Sequence, residues 1–287
     1  MRWHELSRGP ALLAVERAVD EGSRLLREGR GKMDTVIAKG DRDFATALDV
    51  EAERLIRSSL QRLAPDIAFL GEEGGGPAPA SAPIWVLDPI DGTVNFARGS
   101  PLCAISLALV EGGLPRMAIV DFPFLGERYL AAEGAGAYRN GAPIHTVERS
   151  LANSVVGFTD FSVGRDAPSE NPVHLRLMAA LAATALRVRV HGSEALDLAW
   201  LASGRLDAAI MLSNLPWDVS GGTLLVREAG GVVFDLDGSE HGLASAATIA
   251  STRALKQPLL EVLQRSLGRD GLRRADRASS ASPGQTT

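Results

Sequence analysis

The stretch 84–96 constrains the fold of this chain more than any other. It reads IWVLDPIDGTVNF: a short apolar run ends at Asp88, a proline follows, and a second acid, Asp91, comes three residues after the first. Gly92 and Thr93 then look like a helix start. The pattern predicts a buried strand that delivers two carboxylates and several backbone N–H groups to one small volume. Such a volume suits divalent cations beside a phosphate group.

Composition bounds the class of protein. The 287 residues, 45% of them hydrophobic and 23% charged, are typical of a globular protein with a large core. A net charge of −5 and few aromatic residues argue against nucleic-acid binding, which needs a basic surface and stacking platforms. The single cysteine, Cys103, excludes an intramolecular disulfide and a cysteine-based metal site. We expect a cytoplasmic protein without membrane contact, because no secretory segment or long apolar run is present.

Apolar spacing predicts the order of the secondary structure. Amphipathic helices are expected at 10–28 and 46–63, with a loop at 29–40 between them. Apolar runs between 103 and 132 are separated by glycine and proline turns, which predicts a largely antiparallel sheet. After about residue 150, strands alternate with helices, which predicts an α/β half with covered sheet faces.

The domain organisation follows from that pattern. We expect one catalytic unit over residues 1–267, with an α+β half to about residue 150 and an α/β half over 151–267. The polar segment 268–287 is expected to be disordered, and the loop at 77–83 to lie on the surface.

Three acidic elements are candidates for one site. Glu72 with Glu73 precedes three glycines, Asp88 and Asp91 end the predicted strand, and Asp218 stands where the N-cap of a later helix is expected. Carboxylates about 4 Å apart repel by roughly 4 kcal/mol per pair at an effective dielectric near 20. Hard cations with oxygen ligands remove this repulsion, and Mg²⁺ is the usual choice beside phosphate.

Each element alone has a plainer interpretation. An Asp-Gly pair is most often a turn, paired glutamates before glycines usually form a solvated loop, and a Trp-Asp pair fits a core aromatic beside a helix cap. Cys103 fits a small core side chain better than a nucleophile. The scattered histidines lack ligand spacing and favour structural roles.

Taken together, the elements resemble the signatures of the inositol monophosphatase family of Mg²⁺-dependent, lithium-sensitive phosphatases. The likeness covers roughly residues 10–265 in the expected order. It is carried by Gly71-Glu72-Glu73, by Trp85 to Phe96, by Trp217 to Gly231, and by the upstream segment Asp43 to Asp49.

The resemblance implies a role for each matching residue. Glu72, Asp88 and the carbonyl of Ile90 would hold a first Mg²⁺, and Asp88, Asp91 and Asp218 a second. A third, weaker ion would lean on Glu72 through water. Asp49 and Thr93 would orient and deprotonate the attacking water. Substrate contacts would come from Asp91, Gly92, Thr93, Gly192, Ser193, Glu194, Asn214 and Asp218.

The resemblance also implies a layered α/β/α/β/α sandwich of the sugar-phosphatase type, a small phosphate-ester substrate and a homodimer. Two positions depart from the family pattern. Met211 stands where inositol-preferring members place a glutamate, and Glu194 replaces a small residue. We therefore expect Glu194, Ser213 or Asn214 to select the alcohol, although Glu194 equally fits a simple helix-starting residue.

Two kinds of alternative remain. The same chemistry would act on histidinol phosphate, a sugar bisphosphate or a 3′-phosphoadenosine nucleotide. A protein of a different class would bind phosphate for regulation without catalysis. That alternative predicts loss of a metal ligand or of the water-activating pair, and all of these residues are present in the chain.

Overall fold

Two β-sheets and the helices that cover them form an α/β/α/β/α sandwich in this computed structural model, which describes residues 3–30, 36–40, 43–77, 81–242 and 245–278. The helices are α1 (Trp3–Leu6), α2 (Gly9–Gly29), α3 (Ala47–Leu63), α4 (Thr93–Ala97), α5 (Ala167–Thr184), α6 (Glu194–Ala202), α7 (Pro216–Glu228) and α8 (Lys256–Ala278). The strands are β1 (Val36–Gly40), β2 (Asp43–Thr46), β3 (Ala68–Gly71), β4 (Ile84–Asp91), β5 (Ala104–Glu111), β6 (Leu114–Phe122), β7 (Glu127–Ala132), β8 (Gly136–Arg139), β9 (Ala142–Ile144), β10 (Val155–Phe158), β11 (Arg187–Arg189), β12 (Ala208–Met211), β13 (Val232–Phe234) and β14 (Thr248–Ser251).

The larger sheet contains seven strands in the order β3-β4-β5-β6-β7-β8-β9. Among these described strands only β3 and β4 run parallel, which confirms the predicted antiparallel character. Strand β4 continues through Pro89 and ends at Asp91. The pairing with β5 shifts register between Asp88 and Asp91. A bulge of this kind tolerates the proline, which cannot donate to the ladder.

That bulge has a consequence for the two acids of β4. Residues three apart in a regular strand point to opposite faces of the sheet, because side chains alternate with a period of two. The register shift between Asp88 and Asp91 breaks this alternation. The two carboxylates consequently come close enough for the charge of Asp91 to raise the pKa of Asp88.

The smaller sheet has the order β11-β10-β12-β14-β13, with β10 parallel to both of its neighbours and β14 antiparallel to both of its own. A separate antiparallel pair, β1 with β2, precedes α3. The predicted loop at 29–40 is thus partly a strand, since β1 occupies 36–40 of it. Residues 31–35 lie outside the described residues, as do 78–80 of the predicted loop at 77–83.

The helices form three layers around the two sheets. Helices α2 and α3 pack together and cover the outer face of the large sheet, and α5 and α8 cover the outer face of the small one. Helices α6 and α7 lie between the sheets, and one apolar cluster joins them to side chains of both. Helix α7 approaches closely because a Cβ on Gly221 would lie 2.9 Å from Ser106 Oγ, and one on Gly222 would lie 2.4 Å from Leu198 Cβ.

The C-terminal end of the chain differs from expectation. Residues 268–278 continue α8 and are helical, whereas the polar composition predicted disorder from 268 onward. Leucine, arginine and alanine are strong helix formers and extend a helix that is already anchored by buried leucines. Residues 279–287 lie outside the described residues. Within the described part of the chain, no helix has the length and apolar character needed to cross a membrane.

Candidate active site

The end of β4 lies at the centre of the site. Asp88 and Asp91 are buried, with 2% and 3% of their surface exposed, although each carries an ionisable group. Asp88 Oδ1 accepts a hydrogen bond of 2.9 Å from the N–H of Ile90. Gly92 follows with φ +85°, a left-handed conformation, and a Cβ there would lie 2.9 Å from the carbonyl oxygen of Leu102. Glycine is therefore required where β4 turns into α4.

The turn after β3 brings Glu72 to the same place. Because β3 runs parallel to β4, its carboxyl end lies beside that of β4, and the N–H of Glu72 donates to the carbonyl of Leu87 at 3.1 Å. The carboxylate of Glu72 lies close enough to that of Asp88 for its charge and its side-chain contact to raise the pKa of Asp88. Two buried-to-half-buried carboxylates in contact require either a shared proton or a cation.

Asp218 joins the site from α7, but not from the position expected. The helix begins at Pro216 with Leu215 as its N-cap, so Asp218 stands in the first turn and not at the cap. Proline is favoured at the first position of a helix, because an N–H at that position would have no partner within the helix. The helix therefore begins at Pro216, upstream of the start that the sequence predicted. An acid in the first turn still faces the positive end of the helix dipole. Its charge also raises the pKa of Asp88.

Burial and like-charge repulsion both disfavour the charged forms of the acids in this cluster. Burial, followed by the charges of Glu72, Asp91 and Asp218, raises the pKa of Asp88 well above its usual range. Burial and the charge of Glu194 likewise raise the pKa of Asp91, against the opposing effect of its hydrogen bonds. The gathered acids thus favour a positive partner.

The oxygen atoms of these acids suit hard cations, although the side chains are not already arranged as a metal site. Across the described residues, no three His, Cys, Asp or Glu side chains already have the arrangement of a metal site. The available donors are all oxygens, as Mg²⁺ prefers. Among the described residues, Asp91 Oδ2 accepts from Ser193 and Ala195, and Oδ1 accepts only from the N–H of Glu194, which leaves one lone pair of Oδ1. The residues therefore fit bound divalent cations that would draw the carboxylates together.

A second pair lies beside the cluster. Thr93 Oγ1 lies 3.3 Å from Asp49 Oδ1 and 3.1 Å from the carbonyl oxygen of Ile90. Asp49 Oδ2 accepts hydrogen bonds from both the N–H and the hydroxyl of Thr46, which fixes the carboxylate at the start of α3. Burial raises the pKa of Asp49, and the bonds from Thr46 oppose that rise. The pair thus joins a hydroxyl to a fixed carboxylate.

The start of α6 closes the other side of the site. Asp91 accepts hydrogen bonds from Ser193 Oγ and from the N–H groups of Glu194 (3.2 Å) and Ala195 (3.1 Å). The amide nitrogen of Asn95 lies 2.7 Å from the carbonyl oxygen of His191, and Gly192 lies against Gly92. The structure therefore brings the predicted segment 192–194 to the end of β4.

The carboxylates of Glu194 and Asp160 lie on the side of the site formed by the start of α6. Glu194 is half-buried, and burial followed by the charges of Asp197, Asp160 and Glu72 raises its pKa to about 7. Asp160 Oδ2 would lie 3.0 Å from a Cβ on Gly192. Sequence reasoning missed Asp160, because an acid just after a strand resembles any solvated turn. Its distance from Gly192 is visible only in three dimensions.

Two other predicted positions have structural roles. Asn214 Nδ2 donates to the carbonyls of Gly242 (3.1 Å) and Ser245 (2.8 Å), and its Oδ1 receives the hydroxyl of Thr248. These bonds tie the start of α7 to the loop before β14, so they favour an anchoring role for Asn214 over substrate contact. Met211 is buried in the core between the sheets.

Comparison with known proteins finds similarity over most of the chain. A model of the inositol monophosphatase family matches residues 11–267. A Mycobacterium tuberculosis (strain ATCC 25618 / H37Rv) protein named probable inositol 1-monophosphatase ImpA is 37% identical over 255 residues, which cover 88% of this chain and 94% of that relative. A Thermotoga maritima protein named fructose-1,6-bisphosphatase/inositol-1-monophosphatase is 34% identical over 234 residues, 81% of this chain and 88% of its own. The solved structure of extragenic suppressor protein suhB from Bartonella henselae matches with a TM-score of 0.83 at 28% identity, covering 90% of this chain and 99% of that one.

Proposed function

Since this chain belongs to the inositol monophosphatase family, and is therefore a phosphoric monoester hydrolase of the inositol-phosphate phosphatase type, we propose that it hydrolyses the monophosphate of a small polyol, cyclitol or sugar with Mg²⁺. The observation that carries the proposal is the contact between the carboxylates of Glu72 and Asp88, with Asp91 and Asp218 beside them. A cluster of this kind suits phosphate only when cations neutralise it.

Two or three Mg²⁺ ions are proposed. Glu72, Asp88 and the carbonyl of Ile90 would hold one, Asp88, Asp91 and Asp218 a second, and Glu72 through water a third, weaker one. When bound, these ions would supply charge neutralisation and polarisation of the phosphoryl group. The backbone N–H groups of Gly92 and Thr93 would bind its oxygens, since helix starts favour anions.

Asp49 and Thr93 have the proposed task of activating water. With its hydroxyl hydrogen directed to Asp49, Thr93 presents its oxygen lone pairs to a water molecule and orients it. Asp49 is fully buried, and its raised pKa makes it a better proton acceptor than a solvated aspartate. As the water oxygen bonds to phosphorus, its proton would pass through the Thr93 hydroxyl to Asp49. The P–O bond to the alcohol would break on the opposite side, and the leaving oxygen would take a proton from solvent water.

Glu194 is the proposed reader of the alcohol. Its backbone N–H binds Asp91, which holds the residue at the edge of the site, and Asp160 lies nearby. Two carboxylates at this edge favour a leaving group with hydroxyl or ammonium donors. Met211 is apolar and buried and supplies no such contact, so the proposed substrates extend beyond plain myo-inositol. An amino-alcohol such as histidinol, or a sugar, fits the same edge.

We further propose a homodimer formed through α5, in a cytoplasmic protein. This helix exposes apolar side chains at helical spacing, among them Leu175, Ala179 and Ala182, and Leu186 follows it. Leu175 and Leu186 are 56% and 47% exposed. A stripe of this kind suits a second copy of the chain, because a two-fold axis lets one surface cover itself.

The direct test is phosphate release from a broad panel of metabolite monoesters in the presence and absence of Mg²⁺. The panel includes inositol, histidinol and sugar phosphates, a sugar bisphosphate and a 3′-phosphoadenosine nucleotide. We expect Mg²⁺-dependent hydrolysis that Asp218→Asn abolishes and that the exposed control Asp66→Asn leaves unchanged. A regulatory protein that only binds phosphate would release none from any ester, and that result would reject the proposal.

A further inference from the structure

Glu53 is a buried carboxylate outside the acidic cluster, and its side chain contacts the turn that follows β3. It lies on α3, one turn after Asp49, and only 3% of its surface is exposed. Its side chain turns toward the loop that follows β3. A buried carboxylate is costly unless it is hydrogen-bonded or paired, and here it is both.

The hydrogen bonds of Glu53 all go to one turn. Oε2 accepts the N–H of Glu73 at 2.9 Å, and Oε1 accepts the N–H of Gly74 at 3.0 Å. Both donors belong to the turn 71–75, whose ends are joined by a bond from the N–H of Gly71 to the carbonyl of Gly75. The carboxylate thus binds this turn at two adjacent amides.

The turn has no room for side chains on its inner side. A Cβ on Gly71 would lie 2.2 Å from Glu53 Oε2, and one on Gly74 would lie 2.5 Å from Oε1. The glycines that flank the two glutamates therefore admit the carboxylate.

Arg57 completes the arrangement from the next turn of α3. Its Nη1 lies 3.8 Å from Glu53 Oε1, and its Nη2 donates to the carbonyl of Gly75 at 2.9 Å. The guanidinium also stacks over Phe69, 4.5 Å from the ring centre. The charge of Glu53 is thus balanced, and both α3 residues hold the same turn.

We propose that Glu53 is a positioning residue, which fixes the turn 71–75 so that Glu72 meets Asp88 at the metal site. This inference rests on the proposed function, since it concerns the affinity of the site for Mg²⁺. Residues that orient metal ligands commonly change metal affinity 10- to 100-fold when altered.

The test is Mg²⁺ binding to the full chain, measured by titration calorimetry and by the Mg²⁺-induced rise in Tm. Glu53→Gln keeps the size but leaves only one acceptor oxygen for two amides. We expect about a 10-fold or greater loss of Mg²⁺ affinity, with activity recovering at high Mg²⁺. Glu51→Gln, on the exposed side of the same helix, removes the same charge and is expected to bind as the parent does.

A second variant approaches the contact from the other side. Gly74→Ala places a Cβ against Glu53 Oε1 without altering α3, and we expect a similar loss of affinity. If Glu53→Gln does not fold, this variant decides. Affinities equal to that of Glu51→Gln would overturn the inference while leaving the proposed function intact. Absence of Mg²⁺ binding and hydrolysis in the parent chain would instead reject the proposed function itself.

Discussion

Ser193 donates its hydroxyl hydrogen to the carboxylate of Asp91, a residue 102 positions earlier in the chain. The same hydroxyl oxygen accepts the N–H of Leu196 at 3.3 Å and so caps α6. One side chain thus links the start of a helix to an acid at the end of β4, and the two halves of the chain meet at that bond.

Replacing Ser193 with alanine tests this link. We expect the unfolding free energy to fall by about 1–2 kcal/mol, because a helix loses its cap and a buried carboxylate loses a donor. Mg²⁺ affinity should fall as well, since Asp91 loses part of its support. Denaturant unfolding and Mg²⁺ titration measure the two effects. Ser203→Ala, at the other end of α6, is the control, and an equal loss there would contradict the link.

Removal of one charge from the acidic cluster should stabilise the protein without metal. In EDTA we expect Asp88→Asn to raise Tm, by about 2–4 °C for each kcal/mol of repulsion relieved, because the other acids no longer face it. Asparagine still accepts the N–H of Ile90, so the local backbone is kept. The Mg²⁺-induced rise in Tm should disappear. Thermal unfolding with and without Mg²⁺ checks both, and a lower Tm in EDTA would refute the repulsion argument.

Glu194 should decide which alcohols are accepted. For substrates whose alcohol donates to the carboxylate, we expect Glu194→Gln to lower kcat/KM by about 10-fold or more, the value of one hydrogen bond to a charged group. Esters without such donors should change little. Relative kcat/KM across the ester panel is the measurement, with the exposed Glu261→Gln as control. Unchanged ratios, also in Glu194→Ala, would leave Glu194 with a helix-starting role only.

The buried His241 should make the protein sensitive to acid. Burial, followed by the charge of Arg227, lowers the pKa of His241 from 6.5 to about 4, and Asp235 opposes this only partly. The unfolded chain therefore binds the extra proton between pH 4 and 6.5, so this contribution of about 3 kcal/mol is present above pH 6.5 and lost as the pH falls toward 4. His241→Gln should flatten the dependence of stability on pH in this window. The exposed His145→Gln should not, and denaturant unfolding at several pH values compares them.

The apolar face of α5 should hold two copies of the chain together. A charge on this surface, as in Leu175→Glu or Leu186→Glu, is costly to bury in an interface. We expect either variant to sediment as a monomer where the parent sediments as a dimer. Analytical ultracentrifugation is the measurement, and Val147→Glu, exposed elsewhere, is the control. A parent that is already monomeric would reject the dimer.

The parts of the fold that could be predicted depend on local signals. Apolar periodicity gave the helices, the antiparallel strands and the later alternation, because each signal lies within one element. Cys103 is buried, which confirms the predicted role as a core side chain, and burial raises the pKa of its thiol to about 12. The bulge at Pro89 and the earlier start of α7 were missed, since sheet pairing and the fixed φ of proline overrode the local pattern.

The residues of the site also divide into those with a local sequence signal and those that only tertiary contacts reveal. Glu72, Asp88, Asp91 and Asp218 were identified because each combines acids with glycines or a helix start. Their roles as ligands stay predictions. Asp160 and Glu53 carry no local signal, and only the contacts with Gly192 and with the turn 71–75 reveal them. The structural role of Asn214 depends on a loop about 30 residues further along.

The two adjacent glycines of α7 limit which positions of this enzyme can be substituted without displacing the helix. Gly221 and Gly222 let the helix rest directly on β5 and α6, so a Cβ at either position would push α7 outward. Asp218 is in the same helix, one turn earlier, and would move with it. Glu194, the proposed reader of the alcohol, stands on another segment and can change without this displacement. If Glu194 selects the alcohol as proposed, the fold can accept new substrates through that position, while the spacing of the acids depends on two residues without side chains.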